Sequence, residues 1–255
     1  MEIIPVIDIR HGLAVHAVKG ERARYRPLET RLATSADPIE VARGIFDYFP
    51  FPTLYVADLD GIEGGAAESA LQRRLVAEWS GASVWIDDGA HAPPVRATGT
   101  VPDKRVSVIG SETLPPRMPR PARAKVVADD AGVAPMPAAS AWDAAWHRDD
   151  WILSLDFHDD ELLGPEWLIE EPSLWPSRVI AMTVRRVGTG AGADLDTVAR
   201  VAKLAIDSRV YAAGGVRDRR DLQALRAAGA SGALVATALH AGMLKAGELA
   251  ELAGL

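Results

Sequence analysis

Two aspartates stand at the ends of short aliphatic runs, Asp8 in IPVIDIRHG and Asp156 in ILSLDFHDD. A pair of carboxyls in different surroundings can serve one substrate as acid and base. The two runs line up with each other. So do VWIDDGAH and VYAAGGVR, and VSVIGSET and ALVATALH, so the chain reads as an internal duplication. Two copies of one unit would set Asp8 and Asp156 on opposite sides of a single mouth, with a substrate between them. The alternative is that each aspartate only caps a loop.

Other ionisable residues cluster near the same run ends. Asp8, Asp58, Asp60, Asp87, Asp88 and Asp156 would make an acidic mouth suited to an amine-bearing ligand or a divalent cation. Arg10, Lys19, Arg24, Arg26, Arg185 and Arg186 are the counterweights, and could clamp an anion or form a solvated charged surface. His11, His16, His91 and His158 are too scattered to define a metal site, so no metal ligand is assigned. Trp142, Trp146 and Trp151 read as packing residues.

The elements that must position these groups follow from periodicity. Eight β-rich runs recur, at Ile3–Ile9, Thr53–Ala57, Ser83–Ile86, Arg105–Ile109, Trp151–Leu155, Val179–Thr183, Val210–Ala213 and Ala233–Ala236. Amphipathic stretches lie between them, at Pro38–Phe46, Glu68–Trp79, Leu195–Ala205 and Arg219–Ala228, with Asp37 and Asp218 as N-caps. This alternation predicts an α/β fold, a (βα)8 TIM barrel of two similar half-barrels, forming one domain over 1–255. Two small domains remain compatible with length alone. The proline-rich stretch Thr113–Ala139 breaks the rhythm, so the fourth helix is expected to be short or missing, with Val126–Val127 as an alternative strand.

Composition narrows the function classes. The chain is 48% apolar and 25% charged, ordinary for a globular protein, and carries no cysteine, which removes disulfides, thiol catalysis and cysteine-held metals. A net charge of −7 argues against nucleic-acid binding. No apolar run is long enough to cross a bilayer and the first residues read as a strand, so a cytoplasmic protein without membrane contact is expected. Homo-oligomerisation is compatible with all of this.

The ordered set IIPVIDIRHG, DPIEVARGIFD, TLYVADLDGIEGG, SLDFHDD and AAGGVRDRRDLQALRAAGASGALVATALHAG resembles the HisA/HisF histidine-biosynthesis barrels across nearly the whole chain. The resemblance implies a ribotide substrate with two phosphates, one near the third and fourth strands and one near the seventh and eighth. It also implies an Asp after the first strand acting with one from the opposite half. In the isomerase branch the reaction is an Amadori rearrangement. On that mapping Asp8 and Asp156 are the catalytic candidates, with Arg10, Lys19, Asp58, Asp88, Thr183 and Arg185 as substrate-binding candidates. Gly188, Gly214, Gly215, Ala236 and Thr237 form the phosphate-binding set. Thr183, Gly188 and Thr189 match the family's stretch after the sixth strand, but Val187 occupies the place of an Asp that is catalytic in the isomerases. Asp87-Asp88-Gly89 replaces a glycine-rich turn, and two carboxylates there would repel a second phosphate.

The expectation is therefore a divergent HisA-like enzyme, of isomerase or lyase type, working without a cofactor on a small phosphorylated metabolite. YRPLET and PTLYVADLDGIEGG resemble in style proteins of one-carbon cofactor biosynthesis of the methanopterin or methanofuran type. Alternatives are the ribotide isomerase of histidine biosynthesis itself and a catalytically silent binding or scaffold barrel.

Overall fold

The computed structural model describes residues 1–92, 104–116 and 151–254. Eight parallel strands close into a barrel. They are β1 (Glu2–Arg10), β4 (Thr53–Asp58), β5 (Ser83–Asp87), β6 (Arg105–Gly110), β7 (Trp151–His158), β9 (Arg178–Thr183), β10 (Arg209–Ala213) and β11 (Gly232–Val235), with β11 pairing back onto β1. Each expected run falls on one of these strands, with ends that differ by up to three residues. Among the described residues three further strands were not anticipated. Leu13–His16 (β2) and Arg26–Pro27 (β3) extend from β1 as antiparallel neighbours, and Glu161–Leu163 (β8) folds back on β7.

The helices come from apolar stripes closed by caps. Pro38–Tyr48 starts at Asp37, whose side chain accepts from the Ile39 and Glu40 N–H groups. Arg219–Ala227 starts likewise at Asp218, which accepts from Arg220 and Asp221. Ser69–Glu78 and Leu195–Leu204 complete the expected set. The expected short fourth helix and the Val126–Val127 alternative lie outside the described residues. Among the described residues no helix is long and apolar enough to cross a membrane.

Strand side chains alternate between two cores. Ile3, Ile7, Ile9, Leu54, Val56, Leu153 and Leu155 face the helices, whereas Ile4, Val6, Tyr55, Trp85, Val108, Ile152, Ile180 and Tyr211 fill the barrel interior. At the amino-terminal end the interior is plugged. Trp85 meets Tyr211 edge-on at 4.9 Å, and Glu2 accepts hydrogen bonds from Thr53 Oγ1 at 2.6 Å and Tyr211 Oη at 3.1 Å. At the carboxyl end the inward positions include Ala57 and Ala213, too small to fill the layer. Space is left there.

The duplication is visible in register. Asp8 faces Val15 across the first hairpin, and 148 positions later Asp156 faces Leu163 across the second. The turns agree as well, with left-handed His11 at φ 52° and, 148 positions on, Asp159 at φ 54°. One sequence pairing needs correction. VSVIGSET against ALVATALH sets Val106 opposite Ala233, but Val106 points into the barrel and Ala233 toward the helices. The units match when shifted by one residue, Gly110 with Ala236, because a one-residue slip exchanges the two faces of a strand.

Candidate functional site

The space at the carboxyl end of the barrel is a cavity of about 350 Å³. Asp8 and Asp156 both line it, each as an inward residue near the end of its strand. Asp87, Glu112, Tyr55, Tyr25 and Arg22 join them. Around the opposite part of the rim lie Met182, Val184, Val187, Gly188, Gly214, Gly215, Ala236 and Thr237. A second recess of about 180 Å³ shares Asp8, Gly188 and Thr237 with the first, and adds His16, whose Nε2 lies 3.4 Å from the Thr237 hydroxyl.

The carboxyls differ in setting. Burial raises Asp8 to about 7 against an opposing pull from the Arg22 guanidinium. Asp87 is likewise pushed up to about 7 by burial, opposed by the Gly89 N–H on Oδ1 at 3.3 Å and the Tyr55 hydroxyl on Oδ2 at 3.2 Å. Asp156 is raised well above the ordinary carboxylate range, first by burial and then by Glu112, with which it shares a hydrogen bond. Ser154 Oγ donates to Asp156 Oδ1 at 2.7 Å, and Ser111 Oγ accepts from the Asp156 N–H at 3.0 Å while donating to the Leu163 carbonyl at 2.5 Å. Asp156 is thus anchored with its carboxyl biased toward the protonated form, whereas Asp8, raised to about 7, divides between its two forms at neutral pH. Tyr55 is raised well above its ordinary value by burial and by Asp87, Asp156 and Asp8, so its phenol stays a hydrogen-bond donor.

The glycines of the rim are there for close backbone approach. A Cβ on Gly188 would meet the Ala17 carbonyl oxygen, one on Gly214 the Thr183 oxygen and one on Gly215 the Gly192 oxygen, and all three residues have positive φ. The same absence of side chains leaves backbone facing the cavity. Beside them the short helix Thr237–His240 begins at Ala236 without a side-chain cap.

None of the six expected substrate-binding side chains lines the cavity. Asp58 is fully buried on the helix-facing side, where it accepts from Gly61 N–H, Glu68 N–H and Gln72 Nε2. Asp88 turns outward to Arg105 at 2.7 Å. Thr183 is buried on the outer face beside Val179 and Ala181, and Arg185 pairs with Asp159 at 3.1 Å. Arg10 donates to Glu63 and to the Arg22 carbonyl, and Lys19 contributes its backbone N–H to the Val187 carbonyl. The acidic mouth therefore contains Asp87 without Asp58, Asp60 or Asp88, since Asp60 is held by His11. Among the described residues no three His, Cys, Asp or Glu are grouped to hold a metal.

Sequence reasoning missed Tyr55, Glu112 and the separate importance of Arg22. Tyr55 was recoverable, because strict alternation back from Ala57, the neighbour of Asp8, puts it inside. Glu112 reaches the mouth by folding its carboxylate over Gly110, a loop geometry with no periodic signal.

The family model described as histidine biosynthesis protein matches residues 2–97 and 164–245. Asp8 and the glycine rim lie within the matched segments, and Asp156 lies between them. A 1-(5-phosphoribosyl)-5-((5-phosphoribosylamino)methylideneamino)imidazole-4-carboxamide isomerase of Pyrobaculum aerophilum is 30% identical, covering 95% of this chain and 97% of its own. A protein of the same name from Thermomicrobium roseum is 29% identical, over 96% and 94%. An uncharacterized protein of Methanocaldococcus jannaschii is 26% identical over 98% and 97%.

Proposed function

The chain belongs to the histidine biosynthesis protein family, and from that premise we propose that it is an acid/base enzyme acting on a small phosphorylated metabolite through Asp8 and Asp156. The observation that carries this is the placing of both carboxyls in one cavity, with an uncharged glycine rim on one side of it only. Asp156, whose burial favours the protonated form, is the acid that supplies a proton to a ring oxygen or imine nitrogen. Asp8, with its proton affinity near neutrality, takes the carbon-bound proton. Tyr55 holds Asp87 and offers its phenol beside them. The substrate's phosphate sits against Gly188, Gly214, Gly215 and Thr237, where backbone N–H groups rather than lysine or arginine receive it.

On the other side Asp87 and Glu112 occupy the rim, and a second dianion would be repelled there. A monophosphate fits this asymmetry. Proton removal from carbon leaves a signature in heavy water. Incubated with aldose monophosphates such as ribose 5-phosphate, the protein is expected to place solvent deuterium on the carbon next to the carbonyl. Asp8→Asn should abolish the exchange. Exchange that persists in both Asp8→Asn and Asp156→Asn, or none with any aldose monophosphate, would overturn the proposal.

The relatives' name supports a second reading, rearrangement of the two-phosphate ribotide. Val187 on the cavity wall and the carboxyls at the opposite rim weigh against it, and turnover of the ribotide at a catalytic rate would establish it instead. The site supplies no reason to prefer a lyase reaction or a one-carbon-cofactor pathway.

A further inference from the structure

Residues 17–25 continue from β2 as a roof over the cavity. The Lys19 N–H donates to the Val187 carbonyl at 2.9 Å, which ties the loop to the far rim, and Gly20 at φ 71° lets it turn beside Val184. Tyr25 is buried among the barrel-interior residues. Arg22 stands between these anchors. Among the described residues it is the one arginine or lysine that lines the cavity, against Asp8, Asp87, Glu112 and Asp156.

Its guanidinium is oriented but not used up. Nε meets Glu63 Oε1 at 3.0 Å, Nη1 donates to Tyr25 Oη at 2.8 Å, and the group lies 5.3 Å from the Tyr25 ring centroid. Its backbone carbonyl accepts from Arg10 Nη1 at 2.9 Å, which fixes the main chain whatever the side chain does. Nη2 has no partner among the described residues. Glu63 does not line the cavity and is also held by Arg10 Nη2 at 3.1 Å, so it keeps a cation if Arg22 turns toward a ligand. A structural ion pair would need neither the second arginine nor a place on the cavity wall.

We propose that Arg22 sets the substrate specificity of the site by binding a carboxylate of the ligand over Asp8, under the roof formed by residues 17–25. The inference rests on the monophosphate reading above. A planar guanidinium presents a fork that matches a carboxylate, and a single negative charge is far less opposed by Asp87 and Glu112 than a second phosphate dianion. The substrate class is then a small phosphorylated acid, with phosphate at the glycine rim, carboxylate at Arg22 and the reacting carbon between Asp8 and Asp156.

A matched pair of probes separates this inference from its premise. Erythronate 4-phosphate and erythritol 4-phosphate differ only in a carboxylate against a hydroxymethyl group. In calorimetric titration of the whole protein at neutral pH, the acid is expected to bind at least about tenfold more tightly than the alcohol. Arg22→Gln should bring that ratio to near one by weakening the acid selectively, and Arg22→Lys should restore part of it. Glu63→Gln, which frees Arg22, should preserve or enlarge the ratio. Equal binding of the two probes by the parent protein, or a ratio that survives Arg22→Gln, overturns the inference and leaves the phosphate reading standing. Failure of both probes to bind the parent protein overturns both.

Discussion

The two halves of the barrel share a scaffold and divide the chemistry. The hairpins at Asp8 and Asp156 repeat in register and turn conformation at a spacing of 148 residues. Around the first half the mouth carries Asp8, Asp87, Glu112, Arg22, Tyr25 and Tyr55. Around the second it carries Asp156 and then methionine, valines, glycines and alanines. The first hairpin also runs on into a roof, whereas the second turns at Gly164 toward the short helix Trp167–Glu170. Backbone geometry is thus common property, and function is set by the few side chains that point inward. One half holds most of the titratable groups, and the other, apart from Asp156, offers apolar side chains and bare backbone.

The largest effect should come from the one feature the halves share. Asp8→Asn and Asp156→Asn are each expected to lower the deuterium-exchange rate by roughly 10²–10⁴-fold, the usual consequence of losing a general acid or base. If only one of them does so, the symmetry of the two carboxyls is structural and not catalytic. Next in size is the uncharged rim. Ala236→Asp puts a carboxylate among the glycines, and calorimetry should show phosphate-ester binding at least about tenfold weaker, while Asp87→Asn in the other half should leave it intact or improve it.

Stability should also separate the buried carboxyls from the apolar part of the mouth. Burial raises Asp87 to about 7 from an ordinary value of 3.8, so the folded protein keeps a proton that the unfolded chain has already released. That favours folding below about pH 4 and the advantage fades as pH rises through 7. Asp87→Asn should therefore be near neutral at pH 4 and should raise the melting temperature by on the order of 5 °C at pH 8, read by calorimetry. Met182→Leu in the second half should show no such pH dependence. The smallest effect belongs to Arg22, whose guanidinium opposes the rise of Asp8. Arg22→Gln should move the midpoint for Asp8, read from the exchange-rate profile, upward by up to about one pH unit.

Much of the architecture is legible in the sequence because each strand is an aliphatic run with a fixed inward and outward alternation. The helix starts at Asp37 and Asp218 carry capping residues with a direct mechanism. The site is harder to read. Asp58, Asp88 and Thr183 sit at the correct ends of the correct strands but on the outward parity, so proximity in sequence to the mouth is not access to it. Counting in steps of two from Asp8 through the strand pairing would have rejected Asp58 and selected Tyr55 and Asp87. No periodicity reveals Glu112 or the two arginines sharing Glu63, because loop contacts depend on tertiary closure.

The alternation of side chains has a consequence for how such a barrel can acquire a new task. Each strand offers the mouth one terminal inward residue, so the vocabulary of the site is very short: Asp8, Asp87 and Asp156 supply its consonants, Met182 a single apolar letter, and Ala57, Gly110, Ala213 and Ala236 its silences. An exchange at any of these eight positions rewrites the chemistry without disturbing the helix-facing layer that keeps the barrel closed. Selection can therefore revise what the barrel acts on one letter at a time, with the scaffold left unread.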